Sequence, residues 1–262
     1  IITKILANRL KRCLHRLISP SQAAFVRGRQ IQDSILVAHE GFHFLKQKKR
    51  GGQANLALKL DFNKAYDHIQ WNFLQAVLDQ IGFYEIWIKW VMECVSTVHF
   101  AIFANGEKRA SFKPSCGLRQ GDPLSPYLFL LVAETLSKLI DQGLANQDFS
   151  GIKMARHCPI LSHLFFADDV LLFFPAHHTE CLNMLRTLLV YGSASGQLIN
   201  LGKSEVFFTT NASQELQAQL CTLMGIPLAS SRVKYLGRPS WWGRSKAEAY
   251  GFLIDRMSAK MQ

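Results

Sequence analysis

The 262-residue chain predicts an α+β fold in which antiparallel hairpins alternate with amphipathic helices. Three stretches carry that reading. "TVHFAIFANGEKRASF" alternates about Asn105-Gly106, a pair suited to a two-residue hairpin turn because both positions tolerate φ > 0. "LFFADDVLLFF" reads as two apolar strands, 164–166 and 170–174, meeting at Asp168 and Asp169. "LALKL" reads as a strand ending at Asp61, after which Tyr66, Ile69, Phe73, Leu74, Val77, Leu78 and Ile81 recur at helical spacing until Gly82 stops them.

The remaining elements follow in order. "IITKILANRLKRCLHRLI" is a basic amphipathic helix already under way at Ile1, so the chain is read as a fragment. "KQKKRGGQ" at 46–53 is an exposed loop and the clearest break. After the Asn105-Gly106 hairpin comes the loop "CGLRQGDPLSP", where Ser125 and Pro126 fit N-cap and N1 of an apolar helix over 126–142. Thr179 can cap a helix ending near Gly192, and "QLINLGKSEVFF" returns as a strand.

Hydrophobic residues make up 48% of the chain, ample for a packed core. The net charge of +11 is concentrated: residues 1–50 hold eleven Lys and Arg against Asp33 and Glu40, a local excess of +9. Such asymmetry suits a phosphate backbone. Six scattered cysteines without a CxxC pair fit reduced thiols rather than a disulfide framework. His39 and His43, four apart on a predicted helix, lack a nearby third ligand and read as surface or packing residues. Neither a secretory leader nor a membrane-length apolar run is recognisable. The expected location is intracellular, nuclear or cytoplasmic, without membrane attachment.

Asp168 and Asp169 interrupt an apolar run, although an ionised carboxylate resists leaving water. Turn chemistry alone would favour Asn-Gly or Asp-Gly over two like charges. If antiparallel pairing brings Asp61 to the same sheet edge, three carboxylates meet there and call for divalent cations, with hard oxygen donors favouring Mg²⁺. Two ions about 4 Å apart would activate an attacking hydroxyl and stabilise a leaving pyrophosphate, which is polymerase chemistry.

The blocks "LKLDFNKAYD", "GLRQGDPLSPYLF", "FFADD", "GQLINLGKSE" and "KYLG" stand in the order and spacing of reverse transcriptases. With the leading "ISPSQAAFVRGRQIQDSILVAHE", the chain most resembles the enzymes of non-LTR (LINE-type) retrotransposons, plant ones in particular, over nearly its whole length. The resemblance implies a right-hand polymerase: partial fingers over 1–55, a ferredoxin-like palm with finger-side insertions over 56–230, and a primer-grip region with the start of a thumb over 231–262. It implies RNA-directed DNA polymerase activity, with an RNA template, a DNA primer and deoxynucleoside triphosphates as partners. Two Mg²⁺ ions would be the cofactor, with Mn²⁺ as a substitute.

The resemblance also assigns roles. Asp61 and Asp168 become the principal catalytic metal ligands, Asp169 a supporting acid, and the Phe62 carbonyl a backbone ligand; Asp67 reads as structural. Tyr66 matches the aromatic position under the sugar of the incoming nucleotide, where a ring excludes a 2′-hydroxyl. Gln120 and Gly121 would line nucleotide and template, Lys203 would approach the triphosphate, and Arg29 would contact phosphate. Tyr235-Leu236-Gly237 would help hold the primer end or belong to the core. Arg27 and Arg238 depart from the residues common in relatives. An RNA-dependent RNA polymerase shares the aspartates but would carry a polar residue near 66. A rival of another class is an inactive retroelement relic that only binds nucleic acid.

Overall fold

The computed structural model describes residues 1–229, 234–239 and 257–258. The chain opens with helices α1 (Ile2–Leu10) and α2 (Leu14–Leu17), then α3 (Ile31–Gln47). The single opening helix expected from the pattern is thus broken. Arg12 and Cys13 donate to carbonyls three residues back rather than four, tightening residues 11–13 into a turn. A first strand, β1 (Asn55–Leu60), leads through the short β2 (Phe62–Asn63) to α4 (Trp71–Ile81) and α5 (Glu85–Ser96). Then come the β3 (Phe100–Ala104) and β4 (Glu107–Phe112) hairpin, and α6 (Ser125–Ala145). A second hairpin, β5 (His163–Phe166) and β6 (Asp169–Pro175), precedes α7 (His178–Ser195), β7 (Leu198–Ile199), β8 (Glu205–Phe208), α8 (Gln214–Met224), β9 (Lys234–Tyr235) and β10 (Arg238–Pro239).

The four strands β5-β6-β1-β8 form one sheet in that order, with every neighbouring pair antiparallel. Helices α4 to α6 connect β1 to β5 and α7 connects β6 to β8, so two split βαβ units interleave in the ferredoxin-like arrangement. The sheet is a middle layer. Leu56, Leu58, Leu60, Val170, Leu172 and Phe174 join the larger core with α4, α6 and α7, whereas Ala57, Leu171, Phe173 and Phe207 join a second core with Phe42 and Leu45 of α3. Burial on both faces explains why these strands read as nearly continuous apolar runs. Leu6, Leu10, Leu14 and Ile18 sit in the larger core, so the basic N-terminal segment is packed onto the sheet domain.

Several expected boundaries shift. The β3–β4 turn falls at Asn105-Gly106 as expected, with φ of 52° and 81°. Helix α4, however, begins at Trp71, and Tyr66 lies in an irregular turn entered through Lys64 at φ 45°. The Asp122 carboxylate, rather than Ser125, caps α6: Oδ2 accepts from the amides of Leu124 (2.9 Å) and Ser125 (3.2 Å). The cap of α7 is His177, whose Nδ1 accepts from the Thr179 amide at 3.4 Å, and the helix runs past Gly192 to end at Gly196. The expected strand over 197–208 is divided into β7 and β8 by a turn. Most of the expected 231–262 segment lies outside the described residues.

Candidate active site

Asp61 follows the last residue of β1. In the β1–β6 register Leu60 faces Val170, which sets Asp61 beside Asp169 at the same sheet edge. Phe166 pairs with Asp169, so the two-residue tip of the β5–β6 hairpin is Ala167-Asp168 rather than Asp168-Asp169. The three carboxylates therefore converge because a strand end and an adjacent hairpin tip lie side by side. Burial pushes the Asp169 carboxyl above its ordinary value, and Asp168 and Asp61 add to the push while Lys59 opposes it. Among the described residues, no group of three or more His, Cys, Asp or Glu side chains is drawn tightly enough to hold a metal ion as it stands. The donor chemistry nonetheless fits a hard divalent cation: oxygen ligands, mutually repelling, with Asp168 exposed and Asp61 and Asp169 half-buried.

The backbone around Asp61 is fixed by the chain after β7. The Asp61 amide donates to Ser204 Oγ at 3.1 Å, and its carbonyl accepts from the Asn200 amide at 2.8 Å. The turn over 64–70 is clamped from two sides. On one, the Leu118 amide donates to the Tyr66 carbonyl (2.7 Å) and the Gly117 amide to the Ile69 carbonyl (2.8 Å). Opposite, Gln197 Nε2 donates to the Ala65 carbonyl at 2.6 Å and the Gln70 amide to Ser195 at 2.9 Å. Both clamps require glycine. At Gly117 (φ 91°) a Cβ would lie 2.7 Å from the Asp67 carbonyl oxygen, and at Gly196 (φ 79°) 2.3 Å from that of His68.

Tyr66 stacks on Phe129 of α6, with ring centroids 4.8 Å apart and planes 7° from parallel. Burial first, and the Asp168 charge second, push its phenol up to about 12, so the ring lies within electrostatic reach of that carboxylate. Docking of 117–118 on the Tyr66 turn anchors the loop that bears the exposed Gln120 and Gly121, and Arg119 is paired with Asp122 at 2.8 Å. Burial works against ionisation of Asp122, but that pairing and the helix amides hold its carboxyl below the ordinary range. A cavity of about 460 Å³ next to this loop is lined by Asp67, Val98, Phe112 and Arg119, and none of the three carboxylates lines it.

Lys203 is exposed in the turn between β7 and β8. Arg29 sits differently from a free phosphate ligand: its guanidinium donates to the carbonyls of Ser19 (2.5 Å), Ile18 (2.8 Å) and Gln22, bracing residues 18–22. Tyr235 is 3% exposed and packs in the second core. The side chain of Arg238 lies outside the described residues. Behind β5 a buried polar cluster joins three segments: Ser19 donates from its amide to Glu134 Oε2 (3.0 Å), Ser19 and Ser21 contact Ser137, and Ser137 Oγ meets His163 Nε2 at 2.8 Å.

Four residues that the sequence reading passed over prove to organise the site: Gln22, Asp122, Gln197 and Ser204. Gln22 and Gln197 stand in "SPSQAAF" and "GQLIN", where an amide side chain directly before apolar residues was the available signal.

Comparison with known proteins gives the family and the fold. A 27% identical stretch of 242 residues links the chain to the transposon TX1 149 kDa protein of Xenopus laevis, covering 90% of this chain and 17% of that one. The retrovirus-related Pol polyprotein from type-1 retrotransposable element R2 of Popillia japonica is 27% identical over 158 residues, covering 60% of this chain and 25% of that one. A mitochondrial protein of Arabidopsis thaliana is 48% identical over 65 residues, 25% of this chain and 53% of its own. The chain thus spans between 17% and 53% of the length of these curated relatives. In fold, it is similar to telomerase from Candida albicans solved with a fragment of telomeric RNA: TM-score 0.56, 11% identity, 91% of this chain and 35% of that one. Telomerase from Candida tropicalis, likewise with an RNA fragment, gives TM-score 0.56 at 13% identity over the same shares. Residues 1–239 match the family model for reverse transcriptase (RNA-dependent DNA polymerase), and with nearly the whole chain inside that match the protein belongs to the reverse transcriptase family.

Proposed function

We propose that this chain is the polymerase module of a non-LTR retroelement, extending a DNA primer on an RNA template, with the expected fingers over 1–55 and palm over 56–230. The observation that carries the reading is the convergence of Asp61, Asp168 and Asp169 at one sheet edge, with Tyr66 within electrostatic reach of Asp168. Reverse transcriptases as a family work with divalent metal ions, and here Asp61 and Asp168 would hold two Mg²⁺, or Mn²⁺ in their place, with Asp169 and the Phe62 carbonyl in support. When bound, such ions activate the primer hydroxyl and stabilise the charge of the departing pyrophosphate.

The chain's own residues do the rest. Tyr66, rigid against Phe129, presents a ring edge that fills the space a 2′-hydroxyl would need. Gln120 and Gly121 line nucleotide and template from a loop whose backbone is tied to Tyr66. Lys203 supplies a positive charge toward the triphosphate. Arg29 shapes the N-terminal segment, with phosphate contact left to its remaining N–H donors.

The competing reading, a relic that binds nucleic acid without chemistry, is separated by primer extension on RNA and DNA templates with Mg²⁺. The wild-type chain is expected to extend, and Asp168→Asn to lose at least a hundredfold in rate while retaining template–primer affinity. Equal extension by Asp168→Asn would remove the assignment. Binding without extension by the wild type would favour the relic.

A further inference from the structure

We propose that Gln22 is a positioning residue for the carboxylate-bearing turn, holding Ala167 so that Asp168 is presented beside Asp61. The inference rests on the reading of Asp61 and Asp168 as the catalytic carboxylates. Gln22 is 2% exposed, and its Oε1 accepts from the amides of Ala167 and Ala24, each at 3.0 Å. Its Nε2 faces the Ala167 carbonyl at 3.5 Å. The residue gripped is the unusual one: Ala167 holds a left-handed φ of 54°, a conformation that a residue with a Cβ resists unless its surroundings impose it.

The grip has a rigid base. The Phe165 amide donates to the Ser21 carbonyl (2.8 Å) and the Ala23 amide to the Phe165 carbonyl (3.1 Å), so residues 21–23 run along the outer edge of β5. From that edge the Gln22 side chain reaches past the end of β5 to the turn. Arg29 fixes the same segment from behind through the carbonyls of Ile18, Ser19 and Gln22. A segment more than 140 residues away in sequence therefore sets the peptide that precedes Asp168.

The test is residue-resolved amide exchange on the 262-residue chain for wild type, Gln22→Met and Gln22→Glu. Met keeps the volume and removes the acceptor, whereas Glu keeps an oxygen for both amides. Exchange at Ala167 should rise at least tenfold in Gln22→Met, with Val170 and Leu172 of β6 still protected, and should stay near wild type in Gln22→Glu. Single-nucleotide addition by Gln22→Met should lose at least tenfold in kcat with KM for the nucleotide within twofold. An unchanged Ala167 rate overturns the proposal, as does a loss of protection spread evenly over β5 and β6 or a loss of folding, either of which makes Gln22 an ordinary core residue. A wild-type chain that adds no nucleotide counts against the polymerase reading, and the exchange result still decides this one.

Discussion

Tyr66 lies five positions after Asp61, yet its place is set by a stacked partner and two docked loops rather than by a helix. Because its ring is held against Phe129 and within electrostatic reach of Asp168, shortening it opens space at one edge without removing a carboxylate. Tyr66→Val should raise the kcat/KM for ribonucleotides relative to deoxynucleotides by about tenfold or more, the scale at which steric exclusion operates. An unchanged ratio in single-nucleotide kinetics would mean that the sugar is read elsewhere. His163 makes a different kind of prediction. Burial lowers its pKa from 6.5 to about 4, with Asp141 opposing and Lys138 assisting. Its ring nitrogens instead meet the hydroxyls of Ser137 (2.8 Å) and Ser162 (2.9 Å). The unfolded chain thus takes up this proton first, so stability from His163 is present above pH 6.5 and is lost as pH falls toward 4, by about 3 kcal/mol in all. Glu134, whose carboxyl burial pushes up, works in the opposite direction at the acid end. His163→Gln should flatten the fall in urea midpoint between pH 6.5 and 4, and an unchanged slope would show that the acid sensitivity lies elsewhere.

Among the elements, strands were the most legible. Leu56 to Leu60, Lys59 excepted, and Val170 to Phe174 are apolar on both faces because helices cover both, and the Asn105-Gly106 turn is written in residues that accept positive φ. Helix starts were less so. Tyr66, Ile69 and Phe73 fit a 3.6-residue period, but the clamps from 117–118 and 195–197 hold 64–70 in turns, so tertiary contacts override the pattern. Asp122 and His177 cap from positions that local pattern did not single out, and α5 and α8 were passed over although Ser213 and Gly225 bracket α8 with ordinary cap signals. Gln22 and Gln197 illustrate a deeper limit: a polar side chain's long-range partner is a property of the fold. The clamp on 64–70 predicts unequal glycine costs. Gly196→Ala places a Cβ against the backbone oxygen of His68 in a positive-φ position, and should destabilise by about 3 kcal/mol or more. Gly82→Ala, also at positive φ but in open space, should cost about 1 kcal/mol. Equal urea midpoints for the two variants would show that the close approach of Gly196 to the His68 carbonyl carries no stability.

At the scale of the whole molecule, the fold joins a basic surface to an acidic centre. Lys4, Arg9, Lys11 and Arg12 are exposed on a segment whose Leu6, Leu10 and Leu14 are buried in the core, so the positive charge rides on the same body as the carboxylates. Under the proposed function, that distribution would draw a polyanion toward the molecule while leaving the carboxylates to gather cations. It also means that residues 1–50 cannot be removed without removing part of the core. If Asp61 and Asp168 converge in order to hold divalent metal, this chain should bind the ion without nucleic acid, and Mn²⁺ titration, read from the loss of the free-ion EPR signal, measures that binding. Wild type should bind Mn²⁺, and Asp61→Asn and Asp168→Asn should each weaken binding at least tenfold while remaining folded without metal. Mn²⁺ bound equally well by all three proteins would contradict the claim.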